Sequence, residues 1–376
     1  MKAGIVTLWG LNNYGNRLQN YAVFSSLHRL GVDAETVVPR QWAKTAYRVR
    51  TEVQVREQMK RDELAAQQTN PLVVRQFRFE EFNARFIPER HVDAVRFDGK
   101  LARQYDYWVT GSDQVWNPSF RDSLGQLDNR LLAFAAPQQR VCFAPSIGMD
   151  ELDAKWHELF RREWVKFPNL NVREQSGRDI IQQLTGRDAE VVLDPTFMID
   201  KGEWTELARP VPGFDYDKPY VLYYFLGKED EEVPAQVRTA ITKQIRKRKL
   251  AEYRFFSNED LALRSAGPSE LLSVFQHAQL IVTDSFHGTV FSILMGKPFL
   301  LCDRKLVIND AEIDMSNRTV SLLNKLGLRQ RLPENQSLAE ADIWECDYLR
   351  TYGIIRREQN RMGNLLRQAM HMGERG

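Results

Sequence analysis

A histidine at the junction of an apolar strand and an apolar helix is the clearest chemical feature of the chain: His287, within LIVTDSFHGTVFSILMGKPFLLCD, Leu280 to Asp303. Leu280 to Thr283 reads as a β-rich strand, and Asp284 and Ser285 suit helix capping. Val290, Phe291, Ile293 and Leu294 then recur at helical spacing until Gly296-Lys297-Pro298 ends the run. A second short strand, Phe299 to Cys302, follows. Ligands of open α/β sheets bind outside the carboxyl ends of the strands, so His287 stands where chemistry is expected. Amides in a first helical turn attract anions, and the positive dipole end favours a neutral imidazole, so the position suits a general base. A histidine that merely caps or packs fits the same spacing.

The elements that would hold such a group follow a regular order. A strand at Ala3 to Leu8, a polar loop Trp9 to Asn16, a helix from about Arg17 to Leu30 and a strand at Ala34 to Val38 open the chain. Residues 40–95 break the pattern with a charged, helix-prone stretch followed by Phe77, Phe79, Phe82 and Phe86, a helical excursion whose charges suit a solvated face. Strand signals return at Tyr107 to Thr110, Arg140 to Pro145, Leu170 to Val172 and Ala189 to Leu193, with helices near Glu151 to Lys166 and Ser176 to Leu184. A second series starts at Tyr220 to Phe225. It continues through a helix at Pro234 to Lys249, a strand at Tyr253 to Phe256, a helix at Ser269 to His277 and the His287 segment, ending in helices near Thr319 to Leu326 and Asp347 to Met370. Such alternation predicts parallel, doubly wound sheets. At 376 residues the chain exceeds one ordinary core. Two doubly wound, Rossmann-like α/β domains are therefore expected, 1–200 with the excursion and 201–376 with the His287 segment, the last helix packing back on the first domain. Facing each other across a cleft, they would form a glycosyltransferase-B-like architecture.

Lys+Arg 52 against Asp+Glu 50 gives no reason to expect a nucleic-acid partner. Cys142, Cys302 and Cys346 are too widely spaced for a disulfide framework or a zinc site, which suits reduced intracellular thiols. The opening MKAGIVTLWG lacks the long apolar stretch of a signal peptide and no apolar run reaches a membrane span, so a soluble, cytoplasmic protein is expected. His28, His91, His157, His277 and His371 have no partners at ligand spacing, so they read as ordinary surface or core residues and no metal is expected.

Five motifs occur in a characteristic order: Asn12-Asn13-Tyr14-Gly15-Asn16, GSDQVWNP (Gly111 to Pro118), NVRE (Asn171 to Glu174), LDPTF (Leu193 to Phe197) and TDSFHG (Thr283 to Gly288). Each alone is weak; their order and spacing together are specific. In them the sequence resembles the polysaccharide pyruvyl transferase family over most of its length. The resemblance implies an enzyme that moves pyruvate from phosphoenolpyruvate onto two hydroxyls of a sugar in a glycan or glycan precursor, forming a cyclic ketal and releasing phosphate. It implies no metal and no cofactor, phosphoenolpyruvate being a co-substrate. It also implies that Arg173 and His287 are active-site groups, that Gly288 belongs to the donor-binding motif, and that a lysine after the next strand contacts the donor. Lys305, with Arg304 as its competitor, occupies that region. The first domain becomes the acceptor side and the second the donor side.

Phosphoenolpyruvate carries a phosphate and a carboxylate, and Arg173 could grip either through two parallel hydrogen bonds. A plain ion pair with Glu174 or Asp179 is the competing account. The expectation is that His287 deprotonates the acceptor hydroxyl while Arg173 and Lys305 hold the donor and the leaving phosphate. Asp113 and Asp284 lie at strand ends as cleft candidates, although turn aspartates more often cap helices. Asn12, Asn13 and Asn16 could offer amides to sugar or donor, or simply shape the turn. Ser112 is a cleft candidate without a nucleophile-elbow pattern. Trp42, Tyr47, Phe77, Phe79 and Phe82 read as core, with a sugar platform as the alternative. The basic run Lys243 to Lys249 reads as a solvated helix face, with contact to an anionic inner membrane face bearing a lipid-linked oligosaccharide acceptor as the alternative. Two other functions suit the same architecture: a nucleotide-sugar-dependent glycosyltransferase, and a noncatalytic sugar- or anion-binding protein.

Overall fold

The structure is a computed structural model. It describes residues 1–10, 13–40, 70–119, 127–227, 233–308, 311–314, 317–345 and 347–372, with the backbone alone at 305–314. The chain divides into two compact units, unit 1 of Met1–Glu57, Glu80–Ile199 and Arg356–Gly376, and unit 2 of Gln58–Phe79 and Asp200–Ile355. The Pro71–Phe86 and Leu349–Ala369 helices are each divided between them.

Unit 1 is built on β1 (Lys2–Val6), β2 (Asp33–Pro39), β3 (Glu89–Val92), β4 (Tyr107–Thr110) and β5 (Arg140–Cys142), in the order β3-β2-β1-β4-β5 with every pair parallel. The strand order reverses between β1 and β4, and at such a point the carboxyl ends open a crevice. β1 is buried from Ala3 to Val6 because a central parallel strand is sheathed on both faces. The Tyr14–Arg29 helix starts at Asn13, whose side chain accepts from the Asn16 amide at 3.0 Å, three residues earlier than the apolar spacing predicts. His28 and Arg29 in its last turn complement the dipole.

Two features depart from expectation. The expected excursion at 40–95 ends, in its described part, with the Pro71–Phe86 helix and then β3, a strand paired with β2 from Thr36↔Glu89 to Pro39↔Val92. β3 is only half-buried along its length, so its sequence ERHV lacks the apolar run of a central strand. β6 (Asn171–Val172) and β7 (Glu190–Val191) form a separate parallel pair instead of extending the large sheet. The Asn171 side chain takes over the strand-to-strand bonding, accepting from the Ala144 amide at 2.7 Å and donating to the Cys142 carbonyl at 2.8 Å. Trp108, Trp116, Phe160, Trp164 and Phe167 fill the core beneath, each hiding about 150–250 Å². Phe77, Phe79 and Phe82 are buried as well, which makes them core residues and not a sugar platform; Trp42 and Tyr47 lie outside the described residues.

Unit 2 carries β8 (Tyr220–Tyr224), β9 (Ala251–Arg254), β10 (Leu280–Thr283) and β11 (Phe299–Leu301) in the parallel order β11-β10-β8-β9, which reverses between β8 and β10. β12 (Lys305–Ile308) and β13 (Ala311–Asp314) pair antiparallel. The Phe286–Met295 helix is apolar on all sides because it is buried on nearly all of them, and Gly296, at φ +68°, ends it. Cys142 and Cys302 are buried, and burial pushes the Cys142 thiol up to about 12. Cys346 lies outside the described residues. Among the described residues no helix is long and apolar enough to cross a membrane.

Candidate functional site

His287 occupies the second position of the Phe286–Met295 helix, directly after β10 and at the strand-order reversal of unit 2. Hydrogen bonds step the backbone from strand into helix. Thr283 Oγ1 donates to the Tyr224 carbonyl at 2.7 Å, the Ser285 amide donates to Thr283 Oγ1 at 3.0 Å, and Ser285 Oγ accepts from the Gly288 amide at 3.3 Å. Gly288 is required by close approach, since a Cβ there would lie 2.3 Å from Thr283 Oγ1 and 3.1 Å from Tyr224 Cδ1. The His287 ring is partly buried and stands edge-on to Phe286, with centroids 5.3 Å apart.

Ser285, and not Asp284, is therefore the helix cap. The capping expected of Asp284 fails because its carboxylate faces the loop after β8, where it accepts from the Leu226 amide at 2.8 Å and the Gly227 amide at 2.9 Å. Arg304 Nε lies 3.9 Å from Asp284 Oδ2, and among the described residues Nε has no hydrogen-bond partner. Lys305 opens β12, and its side chain lies outside the description. Of the two competing donor cations, Arg304 is thus the one seen beside the β10–helix junction.

The carboxyl ends of β1, β4 and β5 in unit 1 gather a second, denser set. Gln19 joins β1 to β4 by donating to Thr7 Oγ1 at 2.9 Å and accepting from the Ser112 amide at 2.8 Å. Ser112 Oγ donates to the Ala144 carbonyl at 2.7 Å and to Asp194 Oδ2 at 3.2 Å, which leaves it a wholly buried structural hydroxyl. Gly111 precedes it at φ +133°, where a Cβ would stand 2.1 Å from the Phe143 carbonyl oxygen.

Arg173 donates from Nη1 to Asp194 Oδ2 at 2.5 Å and from Nη2 to Asp113 Oδ1 at 3.5 Å, with a side chain 1% exposed. Burial lowers its pKa, but the Asp194, Asp113 and Glu174 carboxylates outweigh that and raise it overall. The ion pair weighed above with Glu174 or Asp179 is therefore replaced by one with Asp194 and Asp113. Glu174 instead accepts from Ser146 Oγ and the Ile147 and Gly148 amides, and Asp179 accepts from Gln175. Asp113 sits at φ +63° and, among the described residues, caps no helix, another departure from expectation.

Asn13 and Asn16 use their side-chain oxygens within the first helix: Asn13 Oδ1 caps it, and Asn16 Oδ1 accepts from Arg17 Nε at 3.1 Å. Asn12 lies outside the described residues. Arg17, Gln19 and Asp194 escaped the sequence reading. Their signal was present, because NNYGNRLQN places polar side chains all round a helix start, and Asp194 belongs to the LDPTF motif. Burial lowers the Arg17 pKa to about 10 despite the nearby Glu89 and Asp113 carboxylates.

Two regions of matched polar groups, each at the carboxyl end of a parallel sheet, fit a ligand-binding α/β protein. Solved structures of similar arrangement include UDP-GlcNAc 2-epimerase of Methanocaldococcus jannaschii in complex with UDP-GlcNAc and UDP (11% identity, TM-score 0.42, 95% of this chain and 99% of that one). Others are the S. aureus MnaA–UDP complex (11%, 0.46, 100% and 98%) and Acinetobacter baumannii MurG (10%, 0.40, 98% and 99%). Likenesses of this degree carry no argument about this chain's chemistry. No curated protein matches it in sequence. The family model described as polysaccharide pyruvyl transferase matches residues 13–305, a span that holds Arg173 with its carboxylates, the His287 helix start and Arg304. By that match, over the greater part of its length, the chain belongs to the polysaccharide pyruvyl transferase family.

Proposed function

We propose that the protein moves pyruvate from phosphoenolpyruvate onto two hydroxyls of a sugar in a glycan or its precursor, closing a cyclic ketal and releasing phosphate. The observation that carries this reading is the strand-order reversal between β8 and β10, where a partly buried histidine lies in the first turn of the helix that follows β10 and Arg304, 17% exposed, lies 3.9 Å from Asp284 of the same junction. A helix start and a guanidinium suit the phosphate and carboxylate of the donor. In the reaction a proton is added to the methylene carbon, two sugar oxygens bond in turn to the ketal carbon as their O–H bonds break, and the bond to the phosphate oxygen breaks with its electron pair leaving on phosphate. Of the two hydroxyl protons released, one balances the proton gained by the methylene carbon and the other leaves with phosphate. His287 takes the proton of an attacking hydroxyl. Arg304 and the first-turn amides stabilise the charge that grows on the departing phosphate. Lys305, next in sequence, is the second cation of this reading, and no metal or further cofactor enters it. Arg173 takes a supporting place, since its guanidinium is already paired with Asp194 and Asp113.

The reading places the enzyme in the cytoplasm. Exposed Lys243, Arg246 and Lys249 on and just after the Ala235–Arg248 helix support peripheral contact with an anionic membrane face that presents a lipid-linked acceptor.

Calorimetric titration of phosphoenolpyruvate into the wild type and Arg304→Gln, with UDP-GlcNAc titrated in parallel, tests the reading. Binding of phosphoenolpyruvate that weakens about tenfold in the variant is expected, the order of one charge-assisted hydrogen bond. Binding of UDP-GlcNAc alone would overturn it in favour of a nucleotide-sugar glycosyltransferase.

A further inference from the structure

The edge strand β3, where the sequence suggested no chemistry, holds an imidazole–carboxylate pair. Glu89 and His91 share one face of the strand, as residues two apart must, and His91 Nε2 lies 3.2 Å from Glu89 Oε2. The expectation that His91 has no close carboxylate partner is thereby corrected; a two-residue spacing brings side chains together on a strand, though not on a helix. Glu89 is itself fixed. Its Oε1 accepts from Trp9 Nε1 at 2.7 Å and Asn83 Nδ2 at 3.0 Å, and Arg17 Nη1 lies 3.6 Å away.

A carboxylate only accepts, so Nε2 carries the ring proton and Nδ1 of the neutral imidazole keeps its lone pair. That Nδ1 is buried, and among the described residues it has no hydrogen-bond partner. A buried acceptor is costly to leave unsatisfied. The His91 side chain is 17% exposed while Nδ1 itself is covered, so a ligand meets Nδ1 by displacing what covers it. His91 is paired in register with Val38, next to the carboxyl end of β2, and Trp9 follows the end of β1 on the same edge of the sheet. This is the edge where open α/β sheets bind their ligands.

We propose that His91 Nδ1 is a hydrogen-bond acceptor for a hydroxyl of the saccharide substrate, held in its tautomer by Glu89. The chemistry selects the class of ligand. A lone pair backed by a carboxylate attracts a neutral O–H donor and repels phosphate and carboxylate, so a sugar fits this site and phosphoenolpyruvate does not. The proposal rests on the pyruvyl-transfer reading for its ligand, and the experiment separates the two.

The chain has 6 histidines, few enough for each imidazole to be followed by nitrogen NMR on histidine-labelled protein, with His91→Phe and His287→Ala to assign two of them. Methyl pyranosides of glucose, galactose and mannose are titrated separately from phosphoenolpyruvate. At least one glycoside should shift His91 Nδ1 in the direction of an accepted hydrogen bond, while phosphoenolpyruvate shifts His287 and leaves His91 unmoved. His91→Phe should weaken that glycoside about fivefold, the worth of one neutral hydrogen bond, and His91→Gln, which keeps an acceptor, should recover part of the loss. Silence of His91 toward all three glycosides, or a response to phosphoenolpyruvate, overturns the proposal. Silence of His287 toward phosphoenolpyruvate would instead count against the pyruvyl-transfer reading.

Discussion

The carboxyl ends of the two sheets hold similar charged groups and use them in opposite ways. In unit 1, Arg173 closes onto Asp194 and Asp113, and the paired side chains are 1%, 0% and 9% exposed. In unit 2, Asp284 spends its oxygens on two backbone amides and leaves Arg304, partly exposed, with an ion-pair distance of 3.9 Å. The first arrangement is a wall: its charges satisfy one another, and removing any one leaves another buried and alone. The second is a rim, where a cation retains capacity for a ligand. An arginine in a motif therefore does not announce by itself whether it binds substrate or holds up the residues that do.

The sharpest way to break this contrast is to truncate one residue from each side and read stability and turnover separately. Arg173→Ala strands Asp194 and Asp113 in the interior and should cost about 3–5 kcal/mol of folding stability. Urea unfolding measures it, and an unchanged midpoint would dissolve the distinction between wall and rim. His287→Ala should lower turnover about 100-fold or more, the usual worth of a general base, with the same unfolding midpoint as wild type. A loss of stability matching the loss of turnover would make His287 a packing residue. Gly288→Ala falls between these effects. Its Cβ would meet Thr283 Oγ1 at 2.3 Å, forcing the helix start away from β10, and overpacking of this kind costs about 1–3 kcal/mol. Phosphoenolpyruvate binding should weaken with it if the helix start holds the donor.

How far the sequence foretold this contrast depends on which interactions are local. The strand–helix unit around His287 was legible because its apolar periodicity, its capping serine and its terminal glycine all lie within a short segment. The parallel sheets were legible from apolar runs, but β3 was not, since a half-buried edge strand carries neither a run nor a clean alternation. Arg173 was found as a candidate, while its partners were not, because Asp113 and Asp194 lie 60 and 21 residues away along the chain. Nearest-neighbour reasoning offered Glu174 and Asp179 instead. The Glu89–His91 spacing is present in the sequence, but it reads as a pair only on a strand, where residues two apart share a face.

The smallest effect is the one that sharpens the rim. Arg304→Gln removes a guanidinium but keeps a shorter polar chain, and it should weaken phosphoenolpyruvate about tenfold, roughly 1.4 kcal/mol. Stability should barely change, because a partly exposed pair at 3.9 Å contributes little to folding. Asp284→Asn supplies the control. An amide oxygen can still accept from Leu226 or Gly227, but the negative charge facing Arg304 is gone. If that charge holds the guanidinium back, Asp284→Asn should bind phosphoenolpyruvate as well as wild type or better. If the carboxylate is needed to aim the guanidinium, binding should fall as it does in Arg304→Gln. Calorimetry on the two variants under one buffer and salt condition separates these outcomes. An Arg304→Gln protein that binds the donor as tightly as wild type would move the donor cation from Arg304 to Lys305.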